Sequence, residues 1–84
     1  MICGVVNRLI RTSMKREPVD STAIKSIGYN EDKRLLEVEI LDTGRIYQYH
    51  DVPLEEYFDF MDAKSYGEYY NRVIKEKYGY REMA

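Results

Sequence analysis

LLEVEILDTGRIYQYH, residues 35–50, alternates in side-chain character as a β-strand does and then doubles back. Leu36, Val38 and Ile40 fall on one side of an extended chain and Glu37 and Glu39 on the other, because successive strand side chains point to opposite faces. A strand over 35–41 with one buried and one wet face follows. Asp42-Thr43-Gly44 supplies turn chemistry, and Arg45 to His50 returns as the second arm of an antiparallel hairpin.

The hairpin leaves open the face on which Tyr47 and Tyr49 stand. Both rings share one face, since they are two residues apart, and Arg45 shares it with them. A three-residue loop with Gly44 left-handed pairs Leu41 with Arg45 and sets the tyrosines opposite Glu39 and Glu37, on the wet face. A two-residue Thr43-Gly44 loop sets them opposite Ile40 and Val38, in the core. Gln48 and His50, otherwise buried, favour the second register, whereas Ile46 favours the first. The pair is either a core wall or a platform on which bases or a partner stack.

Working outward, Ile24 to Tyr29 reads as a strand and 30–34 as a polar turn, which makes a three-stranded meander. Pro53, with Glu55 and Glu56 behind it, opens a helix whose apolar face is Leu54, Tyr57, Phe58 and Met61. Ser65-Tyr66-Gly67-Glu68 fits a capping box. Tyr66, Tyr69, Tyr70, Val73 and Ile74 follow at helical spacing, and the helix runs to about Tyr78 before Gly79. Upstream, Ile2, Val5, Val6, Leu9 and Ile10 mark one stripe of an N-terminal amphipathic helix; alternatively, with Met14 as a second start, residues 1–13 are a poorly ordered extension. The expected class is α+β: a three-stranded antiparallel meander followed by two C-terminal helices packed on one face, with an extra N-terminal helix. Residues 1–17 form the amphipathic extension and 18–84 the domain.

Eighty-four residues, 44% of them apolar, suffice for one domain and one core, which at this size buries roughly 60% of the unfolded chain's surface. The lone Cys3 excludes an internal disulfide and, with His50 the one histidine, leaves no structural zinc set; no metal or cofactor is expected. No run approaches the ~18 apolar residues of a membrane span, which together with the single cysteine implies a cytosolic protein. Charge is segregated: residues 1–17 carry four cations against one anion, 18–62 four against eleven, and 63–84 five against three. That distribution argues against binding duplex DNA mainly through its phosphates.

In this layout residues 18–81 resemble the KTSC domain, a segment found at the C-terminus of some lysyl-tRNA synthetases and as a small stand-alone protein. The resemblance rests on Ser26-Ile27-Gly28-Tyr29, Leu36-Glu37-Val38-Glu39-Ile40, Tyr47-Gln48-Tyr49, Val52-Pro53 and Ser65-Tyr66-Gly67-Glu68-Tyr69-Tyr70-Asn71, leading to Ile74 and Tyr78. It covers about three quarters of the chain, in order, and leaves residues 1–17 outside. It implies a small α+β domain with no assigned catalytic residues and a suspected role in RNA binding.

Catalysis finds little support in the residues. His50 has no evident nucleophile beside it, Cys3 sits among apolar neighbours, and Gly28, Gly44 and Gly67 are isolated rather than clustered as a phosphate loop. The nine tyrosines point instead to contact surfaces, or to a sheet cover in which Tyr57, Tyr66, Tyr69 and Tyr70 keep their hydroxyls at the rim. The candidate site is therefore Arg45, Tyr47 and Tyr49, with Arg72, Lys75 and Lys77 as charge partners, binding RNA or a nucleotide without catalysis. The competing expectation is an adaptor or inhibitor that engages a protein partner, or a second copy as a homodimer, through residues 2–11 and the acidic surface.

Overall fold

The computed structural model describes residues 16–83; the expected helix over 2–11 lies outside the described residues. Five strands, not three, form one antiparallel sheet in chain order: β1 (Arg16–Pro18), β2 (Ile24–Asn30), β3 (Leu35–Ile40), β4 (Ile46–Tyr49) and β5 (Tyr80–Met83). Between β4 and β5 come α1 (Leu54–Met61), α2 (Tyr66–Tyr69), a π-helical turn (Tyr70–Ile74) and α3 (Lys75–Lys77), the last three running on as one rod. The central meander and both helical segments are as expected, and the two added strands are short edges. Arg-Glu-Pro has no apolar alternation, and Tyr80-Arg81-Glu82-Met83 is exposed along most of its length, so neither shows the pattern of a half-buried strand.

The hairpin register departs from both expected loops. Four residues, Leu41 to Gly44, make the turn: the Ile40 N–H donates to Arg45 O at 2.8 Å and the Gly44 N–H to Ile40 O at 2.9 Å. Gly44 takes φ +73°, the left-handed backbone that glycine adopts without a Cβ penalty. Tyr47 then faces Val38 and Tyr49 faces Leu36, a slip of two residues from the two-residue-loop register. A slip of two preserves the face, so both rings lie with the core residues of β3.

That core joins Ile24 and Ile27 of β2, Leu36 and Val38 of β3 and Tyr49 of β4 to Val52, Phe60, Tyr70 and Ile74 from the helical layer. In α1 the inward face is rotated from the expected one: Phe60 is fully buried and Glu56 nearly so, while Phe58 is 55% exposed. The reason is polar. Glu56 finds hydrogen-bond donors inside, as described below, and a satisfied carboxylate can occupy a position that an apolar side chain was expected to take.

The sheet face away from the helices is not simply wet. Glu37 is fully buried there, and Arg16 reaches from β1 to hold its Oε1 at 3.1 Å while donating from Nε to Ser26 Oγ at 3.1 Å. Ser26 in turn donates to Glu39 Oε1 at 2.8 Å. The arginine of a charged edge strand thus meets carboxylates that alternation alone assigns to solvent.

The turn into α2 follows the capping expectation in part: Ser65 Oγ accepts from the Glu68 N–H at 3.2 Å, and the Glu68 carboxylate turns to Arg72 instead of back to the cap. Gly67 sits two residues past this cap, buried against the chain before β2. A Cβ at Gly67 would stand 2.8 Å from the Ala23 Cβ, an atom fixed to the backbone. Gly67→Ala will therefore cost about 1–3 kcal/mol, read as a lower urea midpoint at unchanged slope.

Candidate functional site

The tyrosine pair is split between the two expected roles by its position along β4. Tyr49 is 2% exposed and meets Tyr70 edge-on at 5.9 Å, with their hydroxyls 2.7 Å apart. Burial, and then the bond to Tyr70, push the Tyr49 hydroxyl well above its ordinary value, and burial likewise raises Tyr70. Tyr49 is a core wall. Tyr47, one pair nearer the turn, is half-buried and packs edge-on against Tyr80 of β5 at 5.4 Å. Tyr80 itself is 59% exposed.

These four rings line a cleft of about 330 Å³ between the β3–β4 turn, β5 and the π-helical turn. Tyr49 and Tyr70 form its buried floor, Tyr47 and Tyr80 its wall, and the exposed Thr43, Asn71 and Lys75 its rim. The π-helical turn explains why Tyr70 and Lys75 both reach it. Its backbone closes i→i+5, so the Lys75 N–H donates to Tyr70 O and residues five apart come round to one side. The Lys75 ammonium lies 5.9 Å from the centre of the Tyr70 ring, within cation–π range.

Of the six expected site residues, the structure brings together Tyr47, Tyr49 and Lys75 at this cleft. Arg45 stands beside it on the same strand face, exposed, with Glu82 of β5 at 3.8 Å. A hydrogen bond to the Tyr47 hydroxyl, then the Glu82 charge, push its guanidinium up. Arg72 lies elsewhere, in an exposed pair with Glu68 at 3.3 Å. Lys77 is also drawn away, to Glu56 at 2.9 Å. The three helix cations expected as charge partners are thus distributed over three places, Lys75 at the cleft, Arg72 on Glu68 and Lys77 on Glu56.

Tyr70, Asn71, Thr43 and Tyr80 are the cleft residues that sequence reasoning missed. Helical spacing assigned Tyr70 to the sheet cover, and nothing in the sequence marks the π turn that carries Asn71 to the rim. Tyr80 belongs to the unrecognised β5. Among the described residues, the side chains lining the cleft include no carboxylate, imidazole or thiol. What they offer is aromatic surface, one amide, one aliphatic hydroxyl and one ammonium, a set suited to holding a flat polar molecule.

A second polar cluster lies across α1. Glu56, 6% exposed, accepts from the hydroxyls of Tyr69 and Tyr78, the latter at 2.7 Å, and from Lys77 at 2.9 Å. Burial alone would push its carboxyl up; the donors from Tyr69, Lys77 and Tyr78 together outweigh this and hold it below its ordinary value. Burial and the Glu56 carboxylate push both phenols up in return. This cluster ties α1 to the rod and to Tyr78, two residues before β5. Among the described residues no three of His, Cys, Asp and Glu gather to hold a metal, and no helix is long and apolar enough to cross a membrane.

The sequence profile of the KTSC domain matches residues 20–78. An uncharacterized protein of Stutzerimonas stutzeri is 35% identical over 65 residues, spanning 77% of this chain and 90% of its own length. The crystal structure of a KTSC domain protein from Yersinia pestis superposes with a TM-score of 0.81 at 42% identity, covering 86% of this chain and 100% of that one. A lysine–tRNA ligase of Nostoc punctiforme is 29% identical over 65 residues, which are 77% of this chain and 11% of the ligase.

Proposed function

The chain belongs to the KTSC domain family, and from that premise we propose that it is a small non-catalytic binding domain whose tyrosine cleft receives the base of an RNA or nucleotide ligand. The observation that carries this reading is the convergence of Tyr47 and the exposed Tyr80 with Lys75 and Asn71 at one cleft. An exposed ring gives a base a π-face to stack on, an amide can read a base edge, and an ammonium can meet a phosphate. Occurrence of a similar segment in proteins named lysine–tRNA ligase supports an RNA-related setting. A cytosolic location goes with it.

Tyr80→Ala removes the exposed platform with little cost to the core, and it is expected to weaken binding about tenfold, within the ~1–3 kcal/mol that a stacked base contributes. An amide NMR titration with single-stranded RNA and with nucleoside monophosphates tests the reading. Shifts centred on residues 45–50 and 70–75 that need about tenfold more ligand in Tyr80→Ala support it; silence there in a well-dispersed spectrum overturns it.

A second reading, a protein-interaction adaptor or inhibitor, is favoured by the 55% exposed Phe58. Its ring stands beside Tyr57, which stacks on Tyr29 at 4.8 Å, and exposed Glu55 and Asp59 flank it on α1. An acid-rimmed aromatic patch suits a basic amphipathic segment, and residues 2–11 of a second copy have that pattern. Sedimentation of the full chain and of a variant lacking residues 1–13 decides it: a dimer that becomes a monomer on deletion supports the reading, and a monomer in both sinks it.

A further inference from the structure

We infer that the cleft is built for a single mononucleotide, one base with one phosphate, rather than for a run of single-stranded RNA. This rests on the cleft being a nucleotide site, as proposed above, and names the ligand that such a site admits.

Size is the first argument. A volume of about 330 Å³ sits at the low end of the range for small-molecule sites, roughly 300–1,000 Å³. Single-strand binders instead present a long groove that follows ~4–16 nucleotides. Here the tyrosine floor is closed on one side by the β3–β4 turn and on another by the π turn, and the half-buried Tyr47 and the exposed Tyr80 meet edge-on within one base-sized space.

Charge is the second. Tracking a polymer requires a row of cations along the backbone path. Among the described residues, those lining this cleft include one, Lys75, and the neighbouring Arg45 already faces Glu82 at 3.8 Å. Glu82 projects from β5 opposite Tyr47, and exposed Asp42 adjoins Thr43 at the rim. A first phosphate meets an ammonium; a second or third meets carboxylates. Arg72 and Lys77, which could have extended the path, are held by Glu68 and Glu56.

Hydrogen bonding is the third. The Tyr49 and Tyr70 hydroxyls bond each other at 2.7 Å and the accepting phenol keeps one O–H hydrogen, so the floor offers a base no more than a single donor. Selection among bases therefore falls to the rim, where Asn71 offers a donor and an acceptor side by side and Thr43 a hydroxyl. The structure assigns Asn71 as the residue that sets base preference.

The test compares the four nucleoside monophosphates with a single-stranded RNA of about twelve nucleotides, by NMR titration of the full chain between about 50 and 200 mM salt. The expected result is saturable binding of at least one monophosphate at residues 45–50 and 70–75. Its affinity should fall only modestly with salt, as for one screened charge pair, and the RNA should gain no more than about tenfold, with a log–log slope of about −0.7 for one phosphate contact. Asn71→Asp, on an exposed helical position, should level the affinities among the monophosphates and lower them roughly tenfold by setting a carboxylate at the rim. RNA that binds more than about a hundredfold tighter with a slope steeper than roughly −3 would overturn the inference while keeping the cleft as a nucleic-acid site. Silence of the cleft toward both probes would overturn the underlying reading as well.

Discussion

Tyr49→Ala will cost the fold about 3–5 kcal/mol, and Tyr49→Phe about 1–2 kcal/mol. The larger figure follows from where the ring sits: 2% exposed, across the sheet from Leu36 and Tyr80, edge-on to Tyr70 from the helical layer. Truncation there opens a cavity bounded by strands on two sides and by the π turn above, and paired strands cannot collapse to fill it. The smaller figure isolates the hydroxyl, since phenylalanine keeps the packing and leaves the 6% exposed Tyr70 without its partner. A domain of this size has roughly 4–12 kcal/mol in total, so the alanine variant will approach the unfolding threshold at room temperature while the phenylalanine variant stays folded. Urea denaturation of both variants reads the difference directly. A loss below about 1 kcal/mol for Tyr49→Ala would mean that the ring belongs to the ligand surface and not to the wall.

That outcome bears on how much of this protein its sequence discloses. Alternation over residues 35–41 made β3 and its buried side legible, because a period of two is a property of the backbone and survives errors in loop length. The hairpin was legible only as a choice between two faces: the loop has four residues instead of two or three, and it is the even shift of two from the two-residue register that leaves Tyr47 and Tyr49 on the core face, where the three-residue register would have turned them to solvent. What escaped is what depends on partners far away in the chain. Arg16-Glu17-Pro18 becomes a strand because it pairs with 26–28 and its arginine meets Glu37, not because its own pattern is strand-like. Glu56 lies inward because Tyr69, Lys77 and Tyr78 converge on it, which no local periodicity signals. The candidate site divides along the same line. Tyr47, Tyr49 and Lys75 were readable from composition and spacing, whereas Tyr80, Asn71 and the π turn that places Lys75 depend on tertiary pairing and on one inserted residue's worth of helical widening.

Glu56 supplies the strongest test of that long-range assembly, through both mutation and pH. Its carboxylate is an acceptor for two phenols and an ammonium, so Glu56→Ala leaves three donors without it and should cost about 2–4 kcal/mol. The lower part of the range for breaking a buried pair is expected because the Lys77 side chain is 59% exposed and regains water. The pH dependence has a definite sign. The folded carboxyl is held below its ordinary value, so the unfolded chain, titrating near 4.3, binds the proton more readily than the folded one. The stabilisation is therefore complete above about pH 5 and is lost as acidification passes the unfolded pKa and then the lower folded one. Glu56→Gln cannot titrate, and its urea midpoint should fall less steeply than that of the parent over this window; equal slopes in the two proteins would remove Glu56 as the acid-sensitive group. The consequence reaches the cleft. Tyr78 and Lys77 immediately precede Gly79 and β5, and β5 carries Tyr80. Releasing them from α1 loosens the strand on which the exposed ring is mounted, so Glu56→Ala should weaken ligand binding at residues 45–50 and 70–75 although no atom of Glu56 lines the cleft. Binding unchanged in a folded Glu56→Ala variant would show that the β4–β5 ladder alone holds Tyr80 in place.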